Sequence, residues 1–187
     1  MCLFETALVE HCAPTLAGVK PANLFRFRSQ SLAQIRWDVS RWERALASRG
    51  IRVCILKECP SSNACMIYIY RWAWVERLLS EDRNRTFLEA AGYTPSGLPD
   101  MLNQLSGRLC LEQDYPHEIG LFLGYPLEDV VGFIENHGWN YTCCGYWKSY
   151  GDPEAAQKCF DRYRRCTEFY KRRYAQGTSI LELVVAA

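Results

Sequence analysis

Hydrophobic residues recur every three or four positions along two long segments, the spacing of one face of a helix. In the first segment this face consists of Leu32, Ile35, Val39, Trp42 and Leu46. Ser29 or Ser31 can cap its start and Gly50 lies past its end, so we predict a helix to about Ser48. The second segment predicts a helix over residues 153–175, capped by Asp152.

Shorter segments with the same spacing predict further helices over residues 2–12, 75–80, 84–91, 98–110 and 126–137. Pro14 is expected to end the first of them, because proline interrupts a helix. Residues 117–123 are also expected to be helical, with Pro116 in the first turn and Gly124 at the end. A strand over 117–123 is the alternative interpretation.

Runs rich in β-branched and aromatic residues predict strands over 24–28, 52–57 and 64–71. Residues 58–63 have turn chemistry, so the last two strands should form a β-hairpin. Residues 139–147 predict one more strand.

These elements predict an α/β (α+β) fold with a mixed or antiparallel sheet covered by helices, in two layers. A chain of 187 residues is the size of a single domain, here 1–187. Residues 179–187 are apolar and should pack back onto that domain.

Charge and hydropathy narrow the possible partners. The formal net charge is +1, so nucleic-acid binding is not expected, and the basic outer face of the 153–175 helix is interpreted as solvated. The longest apolar runs are too short to span a membrane. The N-terminal residues lack the pattern of a signal peptide, so we expect a cytoplasmic protein. Its expected ligands are small molecules.

Ten cysteines are many for such a chain, and without an export signal they should stay reduced. Cys54, Cys65, Cys110 and Cys159 lie in apolar or periodic contexts and are expected to fill the core.

The sharpest chemical hypothesis is a nucleophilic thiolate at Cys12, beside His11. Lys20 or Lys148 would favour the thiolate, and His117 or Glu118 would move protons. The competing interpretation is that His11 and Cys12 only end a helix.

A second hypothesis is a metal, iron–sulfur or haem site that uses Cys12, His117 and Cys143, with Cys166 as a further ligand. A third is a non-catalytic interaction module, since aromatic residues anchor interfaces. Tyr125 and Trp147 are the candidate cofactor-binding or interface residues, and the cofactor itself is left open. The first two hypotheses expect Cys12, His117 and Cys143 to lie within about 10 Å of one another.

Common catalytic signatures are absent from the chain. It has no glycine-rich dinucleotide or phosphate loop and no Gly-x-Ser-x-Gly. Leu121 stands four positions after His117, which excludes a His-Glu-x-x-His zinc helix, and a total of three histidines excludes a histidine-rich metal centre.

Three segments resemble the signatures of an uncharacterised bacterial family, one of the domain families of unknown function found in clostridia and other gut anaerobes. They are His11-Cys12-Ala13-Pro14-Thr15-Leu16-Ala17-Gly18-Val19-Lys20, the stretch from Pro116-His117-Glu118-Ile119-Gly120 to Val130, and Gly145-Tyr146-Trp147-Lys148-Ser149-Tyr150-Gly151-Asp152. The resemblance covers nearly the whole chain and implies a single-domain cytosolic protein, with no assigned reaction. The family pattern often has a second cysteine where Tyr146 stands, so the Cys-x-x-Cys with Cys143 is broken here.

Overall fold

A computed structural model describes residues 3–111 and 115–186 and shows a mixed α+β fold. The helices are α1 (Leu3–Leu16), α2 (Leu32–Ala47), α3 (Trp72–Ser80), α4 (Asp82–Ala90), α5 (Leu98–Leu111), α6 (Ile119–Phe122), α7 (Leu127–Glu135), α8 (Pro153–Ala175) and α9 (Ile180–Leu183). The strands are β1 (Ala22–Arg28), β2 (Ile51–Cys59), β3 (Ala64–Arg71), β4 (Cys143–Cys144) and β5 (Lys148–Ser149). None of the described helices is both long and apolar enough to cross a membrane.

The main sheet is antiparallel in the order β1-β3-β2. Strands β2 and β3 form the predicted hairpin, and β1 pairs with the other edge of β3. A second, two-stranded sheet joins β4 to β5.

Helices cover both faces of the main sheet, so the predicted two layers are wrong and the fold has three. Residues of α1, α2, α8 and α9 pack on one face of β3 around Cys65, Ile67 and Ile69. Residues of α3 to α7 pack on the other face around Tyr68 and Tyr70. The physical reason is visible in β3, whose run of apolar residues does not alternate with polar ones, as expected for a strand buried on both faces.

The cap predictions for the two long helices are confirmed. The Ser31 hydroxyl accepts a hydrogen bond from the backbone N–H of Gln34 at the start of α2. The Asp152 carboxylate accepts one from the N–H of Glu154 at the start of α8.

Several element ends differ from the prediction, and two of these differences have a clear physical reason. Helix α1 continues through Pro14 to Leu16, because this last turn is buried in the core and its packing offsets the hydrogen bond that proline cannot donate. The predicted strand over 139–147 is reduced to Cys143–Cys144, since His137, Gly138 and Asn140 adopt positive φ angles that interrupt an extended chain. Cys2, the predicted start of the first helix, lies outside the described residues.

Residues 117–123 form a turn followed by the short helix α6, so the strand alternative for this segment is wrong. The C-terminal segment packs back as predicted: the N–H of Val185 donates to the carbonyl of Leu16 at 3.0 Å. The prediction for the cysteines holds for Cys65, which is buried, but is wrong for Cys110, which is exposed on α5. A single domain over 1–187 stays a prediction.

Candidate functional site

A cavity of about 390 Å³ lies between the α6–α7 segment and the hairpin that joins β4 to β5. Most of the side chains on its wall are aromatic or aliphatic. The lining residues are Tyr115, His117, Ile119, Gly120, Leu123, Tyr125, Asp129, Val130, Phe133, Cys144, Gly145, Tyr146, Trp147 and Lys148. Four of the predicted site residues are therefore brought together: His117, Tyr125, Trp147 and Lys148.

The hairpin decides which of its side chains enter the cavity. Cys144 is paired with Lys148, and Cys143 with Ser149. Residues directly opposite each other in an antiparallel pair point to the same face, whereas neighbours in one strand point to opposite faces. Cys144 and Lys148 accordingly both line the cavity, and neither Cys143 nor Ser149 does.

Gly145, in the turn of this hairpin, lies against α8. A Cβ atom at this position would overlap the ring of Phe160. Glycine therefore allows the turn to approach the helix more closely than a residue with a side chain would.

The carboxylate of Asp129, in the first turn of α7, fastens the hairpin to the rest of the site. Its Oδ2 accepts a hydrogen bond from the indole N–H of Trp147 at 2.6 Å. Its Oδ1 accepts from the Ser149 hydroxyl at 3.1 Å, and from the backbone N–H groups of Tyr150 at 2.6 Å and Gly151 at 3.2 Å. Asp129 is only 4% exposed, so this carboxylate is a buried structural anchor.

The indole held by Asp129 forms part of an aromatic stack. The rings of Trp147 and Tyr125 lie 4.8 Å apart between centroids and 24° from parallel. Phe160 meets the same indole edge-on at 4.6 Å. Burial raises the pKa of the Tyr125 hydroxyl to about 12, so this side chain is neutral at physiological pH.

His117 and Lys148 are two further polar groups of the wall. The His117 side chain is exposed, and its ring centroid lies 4.8 Å from that of Phe133. The Lys148 ammonium donates to the carbonyl of Gly138 at 2.7 Å and lies 4.9 Å from the centroid of the Tyr141 ring. Among the described residues no carboxylate pairs with Lys148, and an ammonium group has two further protons to donate.

Lys20 lies behind the stack, and is not one of the residues that line the cavity. Its Nζ is 5.1 Å from the centroid of Tyr125 and 5.9 Å from that of Tyr163. Burial lowers the pKa of Lys20 to about 8, an effect partly opposed by the nearby Cys12 and Cys159 thiols.

Cys12, the predicted nucleophile, is fully buried in the core beside the sheet and does not line the cavity. Burial raises the pKa of its thiol far above the usual range, and the charge of Lys20 lowers it by less. This environment opposes formation of the reactive thiolate, and nothing in the described structure supports a nucleophile here.

Glu118, the predicted acid or base, is turned away from the cavity wall. Its Oε1 accepts hydrogen bonds from the Tyr93 hydroxyl at 3.1 Å and from Arg108 at 3.3 Å. The carboxylate is therefore engaged in a partly buried ion pair, while the neighbouring His117 is on the wall.

The metal-binding hypothesis finds no support in residues 3–111 and 115–186. Within these ranges no three His, Cys, Asp or Glu side chains are placed to hold a metal ion. Cys12 lies in the core, His117 on the cavity wall, and the Cys143 sulfur contacts Gln157 on α8 at 3.9 Å. These three side chains do not share the cavity, because the core encloses Cys12 and strand alternation directs Cys143 away from the wall.

Sequence reasoning missed several residues of the cavity wall, among them Asp129 and Cys144. Asp129 falls in the predicted 126–137 helix, where an acidic residue in the first turn is usually explained by the helix dipole. Cys144 is adjacent to Cys143, and the choice between them depends on the register of a two-residue strand.

Comparison with known proteins gives a family and no activity. A family model described as a protein of unknown function (DUF3793) matches residues 8–184, a range that includes every residue of the cavity wall. No curated protein and no solved structure matches the chain.

Proposed function

The chain belongs to the family of unknown function whose model spans residues 8–184, and we propose that it binds a planar small molecule carrying an anionic group. The ligand would occupy the cavity between the α6–α7 segment and the β4–β5 hairpin. The single observation that carries the proposal is the aromatic wall of this cavity, which includes one lysine that no described carboxylate pairs with.

The size and chemistry of the wall support a planar ligand. Cavities that bind small molecules commonly measure about 300–1,000 Å³ and are lined by apolar and aromatic side chains with few polar groups. The cavity here has about 390 Å³, and the indole of Trp147 and the ring of Tyr125 belong to its wall. Aromatic faces stack favourably on other flat ring systems.

The charge distribution supports an anionic group on the ligand. The Asp129 carboxylate already accepts four hydrogen bonds from the hairpin and the two residues that follow it, so it is not available to attract a cation. Within the described ranges the Lys148 ammonium donates one hydrogen bond, to the carbonyl of Gly138. A carboxylate, sulfonate or phosphate can therefore accept its remaining protons.

Catalysis at Cys12 and a metal centre are less well supported, because the thiol is sealed in the core and no metal-binding group is found in the described residues. The interaction-module hypothesis stays a prediction. In that case exposed rings at the cavity, such as Tyr146, would anchor a protein partner instead of a small molecule.

The test compares two fluorescent probes of similar shape, anilinonaphthalene sulfonate, which is anionic, and phenylnaphthylamine, which is neutral. We expect both to bind to the native protein with one site. Lys148→Met should weaken binding of the sulfonate about fivefold, as expected for an ion pair of about 1 kcal/mol, and leave the neutral probe unchanged. Lys158→Met, which removes an exposed lysine outside the cavity, is the matched control.

The aromatic part of the proposal has its own variants. Tyr125→Ala should weaken both probes, whereas Trp139→Ala, which removes a 73% exposed ring outside the cavity, should weaken neither. The proposal is wrong if the sulfonate binds equally to the Lys148→Met and Lys158→Met proteins and Tyr125→Ala has no effect on either probe.

A further inference from the structure

We propose that Cys144 is the reactive thiol of this cavity and that it exchanges with small anionic disulfides whose flat rings occupy the aromatic wall. The inference rests on the proposed ligand site and names one class of substrate for it. The sequence predicted thiol chemistry at Cys12, whereas this inference assigns it to Cys144, which the structure places in a cavity.

The first support is the placement of the sulfur. Cys144 is exposed and lines the cavity, and its partner across the hairpin is Lys148. Because opposed residues of an antiparallel pair share a face, the thiol and the ammonium are neighbours on the same wall. His117 completes a group of three chemically active side chains there.

The second support is a contrast with the other thiols. Cys12 and Cys65 are buried, and Cys143 faces α8 beside Gln157. Cys110 is exposed on α5, but it does not line the cavity. Among the described cysteines, Cys144 alone lines this cavity, and its side chain is exposed there beside Lys148.

The exchange step is balanced without any further reactant. The Cys144 sulfur attacks one sulfur of the disulfide as its own proton leaves to solvent, and the S–S bond of the reagent breaks. A mixed disulfide forms on Cys144, and the second half of the reagent departs as a thiolate with the electron pair of the broken bond. Lys148 would hold the anionic group of the reagent during the attack.

Strand alternation also predicts where the reaction stops. Cys143 is the nearest cysteine in sequence, but it points to the opposite face of β4, so it is not placed to attack the mixed disulfide. We therefore expect one equivalent of thiolate to be released at this hairpin instead of two, and the adduct to persist until an external thiol is added.

The experiment uses the full chain with Cys2, which lies outside the described residues, and Cys110 replaced by serine. Dithiobis(nitrobenzoate) is the anionic aromatic disulfide and dipyridyl disulfide the neutral one. A matched chain retains Cys110 and carries Cys144→Ser. We expect Cys144 in the first chain to react with the anionic reagent about tenfold faster than Cys110 does in the matched chain. Lys148→Met should remove most of this advantage, added salt should reduce it, and the neutral reagent should show neither effect.

Cys143→Ser is the control for the neighbouring position and should leave both rate and stoichiometry unchanged. Mass spectrometry of the adduct should locate it on Cys144, and anilinonaphthalene sulfonate should protect this thiol from reaction. If the sulfonate binds but Cys144 reacts no faster than Cys110, the inference fails while the proposed function stands. If the sulfonate does not bind and Cys144 is not favoured, both fail. Release of two equivalents with loss of both thiols would overturn the predicted stopping point.

Discussion

Replacing the Asp129 carboxylate by an amide should loosen the hairpin without changing the size of the side chain. In Asp129→Asn the single amide oxygen can keep the place of Oδ1, which accepts from the Ser149 hydroxyl and from two backbone N–H groups. The amide nitrogen then faces the indole N–H of Trp147, where Oδ2 accepted a hydrogen bond at 2.6 Å. Two donors would point at each other.

The expected loss in the free energy of unfolding is about 2–4 kcal/mol. One hydrogen bond to a charged group contributes about 1.5–3 kcal/mol, and the three bonds that remain lose the assistance of the negative charge. The site is nearly dry, since Asp129 is 4% exposed, so water cannot replace the missing acceptor at low cost.

Urea unfolding measures the change in stability, and the indole N–H resonance of Trp147 reports on the bond itself. That resonance should shift and exchange faster with solvent in the variant, and binding of anilinonaphthalene sulfonate should weaken. Glu128→Gln, an exposed carboxylate one position earlier, is the matched control and should change stability by less than about 0.5 kcal/mol. If Asp129→Asn matches this control in stability and leaves the Trp147 resonance unchanged, Asp129 does not hold the hairpin.

Three further predictions concern the stability of the fold. Burial lowers the pKa of Lys20 from 10.5 to about 8, so between these pH values the unfolded chain binds more protons than the folded one, and the stability of the wild type rises with pH. Lys20→Met lacks this group, so its advantage in the free energy of unfolding over the wild type should fall by on the order of 3 kcal/mol across that window. Urea unfolding at each pH measures this difference. Gly145→Ala should cost about 1–3 kcal/mol in thermal or urea unfolding, because its Cβ overlaps the Phe160 ring, and an added Phe160→Leu should recover part of this loss. Arg71→Met should cost about 3–5 kcal/mol and Arg71→Lys nearly as much, since the buried guanidinium donates to three carbonyls that a single ammonium cannot reach together.

Much of the fold could be predicted from the sequence, because local patterns determine its clearest elements. Helices α2 and α8 carry an apolar stripe, a capping side chain and a glycine beyond the last turn, and all three signals agree. The β2–β3 hairpin has strand-forming residues on both sides of a turn. The covering of both sheet faces was harder to predict, since a short apolar run can be a strand buried on one face or two.

Within the site, the sequence could indicate segments but could not show which side chains meet. His117, Tyr125, Trp147 and Lys148 belong to two short motifs rich in glycine and aromatic residues, and the cavity forms where these motifs face each other. The role of Asp129 depends on donors 18 to 22 residues further along the chain, so no local spacing could reveal it.

The sequence alone also does not show which cysteine lies in the cavity. Nine of the fourteen residues of helix α1 are buried, and its apolar residues are not confined to one face, as is typical of a helix that the core largely encloses. This pattern was a signal that Cys12 would be inaccessible, in spite of the adjacent His11.

Cys143 and Cys144 have the same chemistry and differ by one position, so only the pairing of Cys144 with Lys148 separates them. A slip of one residue in this register would exchange the faces of the two thiols and move the reactive group from the cavity to α8. The chemistry of the site therefore depends on the contacts that fix the register, which are the hydrogen bonds of Asp129 and the approach of Gly145 to Phe160.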